Sequence, residues 1–517
     1  GGYTYKVDQW ERLRRFLILG SEGGTYYVTE RALTTENADH VLQCIDEDGA
    51  RVVAETVAIS DAGRAPKNTP AIFVLALCAA RGDESTRRAA LDALPQVCRI
   101  GTHLFQFAEF VDGMRGWGRG LRRAVGAWYN GRAARDLAYQ AVKYRQREGW
   151  SHRDLLRLAH PSPADEAHDA IYRWITARPS EDAARQQSIA WAQAENAPGT
   201  AALDLIWAFE MAQRANTDHV IVRLIRDHDL PREAIPTDWL KSSDVWDALL
   251  EKMPMTAMIR NLGVMTKLRL VKAGTDAERL IVSRLRDENA LRKARIHPIA
   301  LLSALMVYGM GQGVRGSGEW TPTEAIKRAL DEAFYLAFKN IEPANKRFLL
   351  ALDVSGSMSI GEIAGVPGLT PRMASAALAL MTARTEANHR FMAFSTEFMP
   401  LKIHADMRLD AAIKAVSNLP FKGTDCALPM LWALENKIPV EVFVVMTDNE
   451  TWAGQIHPSQ ALDQYRQATG IESRLIVVGM TATDFTIADP ADRGMLDVVG
   501  FDTAAPQLMS DFAAARL

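Results

Sequence analysis

The sequence predicts two architectures in series. Residues 1–342 read as helix after helix, and residues 343–517 read as an α/β domain with a doubly wound parallel sheet. Three observations predict this. Over the first two thirds, apolar residues recur at three- and four-residue spacing between short loops carrying Pro, Gly or Asn. Beyond about residue 343, short runs that are apolar throughout alternate with helical stretches, the pattern of strands covered on both faces. The chain has 517 residues, 48% hydrophobic and 24% charged, an ordinary globular composition that suits two to four domains.

The clearest helical stretches are 69–80, 84–98, 102–112, 201–214 and 245–262. Many short helices in series without intervening strands suggest an α-solenoid of degenerate repeats. An irregular helical bundle fits the same pattern. In the C-terminal part, 347–354 (RFLLALDV), 390–394, 440–446 (VEVFVVM) and 473–478 (SRLIVV) read as strands, and 373–385 as a helix between two of them.

The longest strongly apolar stretch, 71–80, is half the length a membrane span needs. The first five residues lack the basic-then-apolar order of a signal peptide. Four cysteines, Cys44, Cys78, Cys98 and Cys426, stand far apart in no CxxC pair. That spacing argues against a disulfide framework or a thiolate zinc site, and for a reducing, cytoplasmic setting. The net charge of -3 argues against a polyanion partner, but it hides a gradient. Residues 1–342 carry 46 basic and 44 acidic side chains, and residues 343–517 carry 14 and 19.

The predicted strand 347–354 runs into Asp353-Val354-Ser355-Gly356-Ser357, one carboxylate and two hydroxyls on a tight loop. A second loop offers Thr424, and the strand 440–446 is followed by Asp448. Open α/β sheets bind ligands at the carboxyl ends of their strands. Asp353, Ser355, Ser357, Thr424 and Asp448 there would form a hard oxygen cage suited to a divalent ion, Mg²⁺ first. The set resembles the metal-ion-dependent adhesion site of von Willebrand factor A domains, whose ion meets an acidic group of a partner. The bland reading is polar residues that only tie loops together. An aspartyl-phosphatase reading fails because the position for a second Asp is Ser355.

Between Arg115 and Arg157 lie eleven Lys and Arg against three acids. The helix predicted near 132–148 puts Arg135, Tyr139, Lys143 and Arg147 in one row, with Ala134, Leu137, Ala138 and Ala141 on the core side. The next helix opens on Ser151-His152-Arg153-Asp154, a capping box, and places Arg153, Arg157 and His160 on one face. Such a stripe suits phosphate, with Tyr139 and His160 able to meet bases. A solvated helix face is the default alternative. Two glycine motifs carry no nucleotide chemistry. The G-x-G-x-x-G at 311–316 follows a helix rather than a strand, and 20–25 lacks the Lys-Ser/Thr of a P-loop.

Beyond these motifs, the chain resembles the Ro autoantigen family, a TROVE helical module followed by a von Willebrand factor A domain. The resemblance is carried by Gly20-Ser21-Glu22-Gly23-Gly24-Thr25-Tyr26-Tyr27, by Val97-Cys98-Arg99-Ile100 with Thr102-His103-Leu104-Phe105, and by the run from Gly149 to Leu158. It continues in Leu240-Lys241-Ser242, Arg260-Asn261-Leu262-Gly263 and Lys346-Arg347-Phe348-Leu349-Leu350-Ala351. It implies HEAT-like repeats curved into a ring with a central hole, closed by the A domain. It implies Y RNA on the outer surface, contacted through Lys143, Arg147 and His160. Arg135, Tyr139, Arg153 and Arg157 join that list from the stripe alone. It further implies that single-stranded 3′ ends of misfolded or 3′-extended noncoding RNAs enter the hole, in quality control and decay with a 3′→5′ exoribonuclease and without catalysis by the chain itself. A bacterial member fits the Arg-rich composition. The competing reading is a metal-dependent protein-interaction scaffold with no RNA role.

Overall fold

The computed structural model describes residues 8–516, apart from 22, 30–31, 64, 178–199, 314–317, 364–365, 367, 395–397, 418–424, 449–454, 483–486 and 490. The N-terminal region is helical, as the spacing predicts. Its first half comprises α1 (Gln9–Leu19), α2 (Asp39–Ala62), α3 (Thr69–Arg81), α4 (Glu84–Asp92), α5 (Leu94–Val97), α6 (Gly101–Met114), α7 (Arg119–Asn130), α8 (Ala134–Lys143), α9 (His152–Ala159) and α10 (Glu166–Thr176). Further helices continue from Thr200–Arg214 to Glu324–Leu336. The apolar stretch 71–80 is the centre of α3, buried from Pro70 to Ala80 against α2 and α6.

Two predicted helices are broken where proline removes a backbone donor. The stretch 84–98 divides at Ala93, with Pro95 in the first turn of α5. The stretch 245–262 divides into Ser243–Lys252 and Met255–Arg260, the latter capped by Pro254. A third correction bears on function. The helix expected over 132–148 ends at Lys143, so Arg147 does not continue the row of Arg135, Tyr139 and Lys143. Tyr144 leaves helical geometry at φ -109° and ψ 76°. A small antiparallel hairpin follows, β2 (Gln146–Arg147) with β3 (Trp150–Ser151), turned by Glu148 and Gly149 at φ 51° and 79°. Two successive positive φ values make a hairpin turn that helical sequence cannot form.

The C-terminal domain is built on a seven-stranded sheet. Its strands are β1 (Thr25–Tyr27), β4 (Arg347–Asp353), β5 (Asn388–Phe394), β6 (Phe398–Pro400), β7 (Val442–Thr447), β8 (Arg474–Gly479) and β9 (Met495–Val499). The order is β1-β9-β8-β7-β4-β5-β6, parallel except for β6 against β5. Both faces are covered, which is why the strand runs are apolar throughout. Leu350, Leu352 and Val444 face the helices Pro371–Thr385 and Ala505–Ala513. Leu349, Ala351 and Phe443 face Leu428–Glu435 and Pro458–Thr469. The first of these cores runs without a break into the helical region.

The sheet takes one edge strand from the opposite end of the chain. β1 pairs in parallel with β9, Thr25 opposite Asp497 and Tyr27 opposite Val499. Just before it, the buried Arg15 of α1 donates to the carbonyls of Asp492 and Met495. The other junction is a short turn, Ala337–Asn340, leading into β4, braced by Arg408, which pairs with Asp331 and lies 4.9 Å over the Tyr335 ring. The helical region is thus fastened to the α/β domain at both of its ends.

Candidate functional sites: a basic face and an oxygen-donor loop

The basic face is built on α8, the β2–β3 hairpin and α9. α8 buries Leu137, Ala138, Ala141 and Val142 and leaves Arg135 exposed. Tyr139 and Lys143, one turn apart, meet: Lys143 Nζ donates to the Tyr139 hydroxyl at 3.1 Å and lies 5.2 Å over its ring. The Tyr144 ring is as close, at 5.3 Å. Partial burial works against the Lys143 charge, but the Tyr139 hydrogen bond, Tyr144 and Glu233 outweigh it, so its pKa is raised above the ordinary lysine value. The ammonium is therefore held charged and oriented. Tyr139 and Lys143 also line a cleft of about 750 Å³ together with Arg232, Arg260 and Asn261 and the acids Asp229, Glu233 and Glu251.

The hairpin puts Arg147 into solvent beside Glu148, 2.8 Å away. Trp150, opposite Arg147, anchors it through an indole hydrogen bond to Glu109 at 2.5 Å. α9 then starts at the expected capping box. The Ser151 hydroxyl accepts from the Asp154 amide, and Asp154 Oδ2 accepts from the Ser151 amide at 2.9 Å. Below it, His152 is fully buried, with Nδ1 2.7 Å from the Tyr129 hydroxyl and its ring 4.8 Å from Phe105. Burial pushes its pKa down to about 4, so it is a neutral packing residue.

Leu155 and Leu156 bury, as the spacing requires, while Arg157 is exposed and donates to the Thr176 carbonyl at 3.2 Å. Arg153 is half-buried. His160 ends α9 in the left-handed region at φ 45° and is exposed. Eight residues of helix separate it from the hairpin, about 12 Å of rise. Lys143 and Arg147 thus sit at one end of α9 and His160 at the other. That is a bracket along a surface rather than a closed pocket.

The second site lies at the carboxyl ends of the adjacent strands β4 and β7. Asp353, the last residue of β4, is buried. Its Oδ1 accepts from the Ser355 amide at 2.8 Å and its Oδ2 from the Thr447 hydroxyl at 2.9 Å. The Ser355 and Ser357 hydroxyls lie 2.9 Å apart on the loop. Asp448 directly follows β7 and is half-buried, its carbonyl held by Thr481. Four of the five expected oxygen donors therefore share one sheet edge, and Thr424 lies outside the described residues. Arg372, missed from sequence, donates to the Ser355 carbonyl at 2.9 Å and braces the loop from behind. Burial lowers its pKa, against the pull of Asp353. Oxygen-only donors around one well-placed carboxylate fit a hard divalent cation.

The G-x-G-x-x-G segment begins as a helix stop. The helix Pro298–Met310 ends in left-handed Gly311, whose amide returns to the Tyr308 carbonyl.

A helical region attached at both ends to a parallel-sheet domain with such a strand-end loop defines a TROVE protein with a von Willebrand factor A domain. Family models agree: the TROVE domain matches residues 1–308 and the Ro60 vWA domain matches residues 347–513. The chain belongs to the Ro60 family. It is 44% identical over 521 residues to the RNA-binding protein RO60 of Deinococcus radiodurans, covering all of this chain and 95% of that one. It is 38% identical to the RNA-binding protein RO60 of Caenorhabditis elegans, covering all of this chain and 90% of that one. The crystal structure of the Deinococcus radiodurans RO (RSR) protein superposes with a TM-score of 0.90 at 43% identity, over 99% of this chain and 100% of the other.

Proposed function

We propose that the chain is an RNA-binding scaffold that works without bond-breaking chemistry of its own. Y RNA lies along the outer basic face, touching Lys143, Arg147 and His160. Arg135, Tyr139, Arg153 and Arg157 extend that contact. The observation that carries the reading is the Lys143–Tyr139 pair, a half-buried ammonium kept charged and aimed by a phenol, with exposed Arg147 on the hairpin before α9 and exposed His160 at the far end of α9. A bracket about 12 Å long suits an extended polyanion better than a small anion. The names of the relatives support RNA as the ligand class.

In this reading the helical repeats curve round a central hole. Misfolded or 3′-extended noncoding RNAs pass a single-stranded 3′ end into it, and a 3′→5′ exoribonuclease acts on what the scaffold presents. The cytoplasm is the setting. Asp353, Ser355, Ser357, Thr424 and Asp448 would hold Mg²⁺, which when bound supplies an electrophilic contact for a carboxylate of a protein partner.

The test is a gel-shift titration with Y RNA at several salt concentrations. The Lys143→Ala, Arg147→Ala, His160→Ser triple variant should lose binding while keeping its thermal midpoint. Wild-type affinity in the triple variant would overturn the site, and turnover of RNA by the purified protein that Asp353→Ala abolishes would overturn the non-catalytic reading.

A further inference from the structure

A second strongly basic feature lies away from the Lys143 bracket, on the other side of α7. A cleft of about 760 Å³ opens between α4, the end of α6 and α7. Five arginines line it, Arg87 and Arg88 from α4, Arg115 from the end of α6, and Arg119 and Arg123 from α7, against only Glu84 and Asp92. These charges are largely uncompensated. Among the described residues Arg87, Arg119 and Arg123 form no ion pair, and Arg88 has one long pair to Asp92 at 3.9 Å. Arg115 is spent on structure, donating to the Ala80 carbonyl at 3.0 Å.

The rim of the cleft is the run Arg115-Gly116-Trp117-Gly118-Arg119-Gly120. Gly120 lets α7 close on α4, since a Cβ there would sit 3.0 Å from Leu91. Gly116 holds φ 78°. A Cβ at Gly116 or Gly118 would meet nothing within 4 Å, so the rim is open rather than packed there. Between them Trp117 packs on Trp150 at 5.7 Å, and its indole Nε1 is buried without a hydrogen-bond partner among the described residues. Trp150 is the cross-strand neighbour of Arg147. The Trp117–Trp150 pair therefore joins the arginine cleft to the hairpin end of the Lys143 bracket.

We propose that this cleft is a second RNA-backbone site, in which Arg87, Arg119 and Arg123 contact phosphates of an RNA that also spans the Lys143 bracket. The inference rests on the RNA-binding reading above and adds a separate set of contacts to it. Three guanidinium groups without ion pairs lining one cleft, Arg119 and Arg123 exposed and Arg87 half-buried, do little for the fold. Against a phosphodiester chain each makes paired hydrogen bonds and releases counterions.

The probe is a synthetic RNA hairpin with a single-stranded 3′ tail, titrated against the full chain at several salt concentrations. Arg119→Ala/Arg123→Ala should weaken binding roughly tenfold and lower the salt slope by about 1.5, since each neutralised phosphate contributes about 0.7–0.9. Arginine-selective labelling with a phenylglyoxal reagent, read by mass spectrometry, should show both arginines protected when RNA is bound. Wild-type affinity and slope in that variant, or no protection, would overturn the proposal. If Lys143→Ala/Arg147→Ala loses binding while the cleft variant keeps it, the cleft assignment fails and the RNA-binding function stands. If the wild-type chain does not bind the hairpin, both fall.

Discussion

The hydroxyl of Thr447, at the end of β7, donates to Asp353 Oδ2 at 2.9 Å and so fixes the carboxylate that ends the neighbouring strand β4. With the Ser355 amide on the other oxygen, the carboxylate is oriented before any ligand arrives. Partners of this kind around a metal ligand are worth about 10–100-fold in affinity. Thr447→Val should therefore weaken Mg²⁺ binding by about tenfold, and Asp353→Ala should abolish it. Calorimetric titration reads both. In parallel, EDTA should lower the thermal midpoint of the wild type but not of Asp353→Ala.

The hairpin that carries Arg147 depends on Gly149 at φ 79°, where an added Cβ would touch nothing. Gly149→Ala thus tests backbone geometry alone. A left-handed residue with a side chain costs about 1–2 kcal/mol, and the hairpin is small enough to rearrange instead of straining. The variant should keep its thermal midpoint within a few degrees and lose roughly fivefold or more in Y RNA affinity. Unchanged affinity would show that the position of Arg147 is unimportant.

His103, His152 and His297 are all driven to a pKa of about 4 by burial, well below the ordinary histidine value. The folded chain holds them neutral, and the unfolded chain protonates them first as pH falls. Between about pH 6.5 and 4 the unfolded state binds more protons, so stability falls with acidification. Each group contributes a slope of at most about 1.4 kcal/mol per pH unit. The urea midpoint should drop clearly between pH 7 and pH 5. A flat profile there would contradict the neutral assignment of the buried His152 and the half-buried His103 and His297.

Arg15 carries its charge into the α/β domain, where it serves two carbonyls near the start of β9 and lies 6.0 Å from the Phe512 ring. Burial lowers its pKa despite nearby Glu11 and Asp492. Arg15→Met keeps the stem but removes the guanidinium from both carbonyls, of which that of Asp492 still accepts from the Met495 amide at 3.3 Å. Unsatisfied buried polar groups cost about 1–3 kcal/mol each. The variant should be destabilised by about 1–3 kcal/mol, and limited proteolysis should release the N-terminal segment first.

How far the sequence reached follows from the range of each interaction. β4, β7 and β8 were readable because sheets covered on both faces need unbroken apolar runs, and Asp353 stood out because D-x-S-x-S closes within five residues. β9 hid behind Asp497, a fully buried carboxylate that accepts from the Ile487 and Ala488 amides and so interrupts the apolar pattern. β1 is three residues long, and its partner strand lies at the other end of the chain. Arg147 fell off its helix because Glu148-Gly149 is a turn signal that outweighs the four-residue charge spacing on either side. Arg372 was invisible because a guanidinium bound to a main-chain carbonyl leaves no motif.

The β1–β9 pairing has a consequence for biogenesis. Arg15 and its acceptor Asp492 are separated by 477 positions, so the seam between them cannot form on the ribosome until β9 has left the exit tunnel. Before that moment the growing polypeptide leaves the edge of β8 uncovered and the Arg15 guanidinium in solvent, and the arrival of β9 covers both.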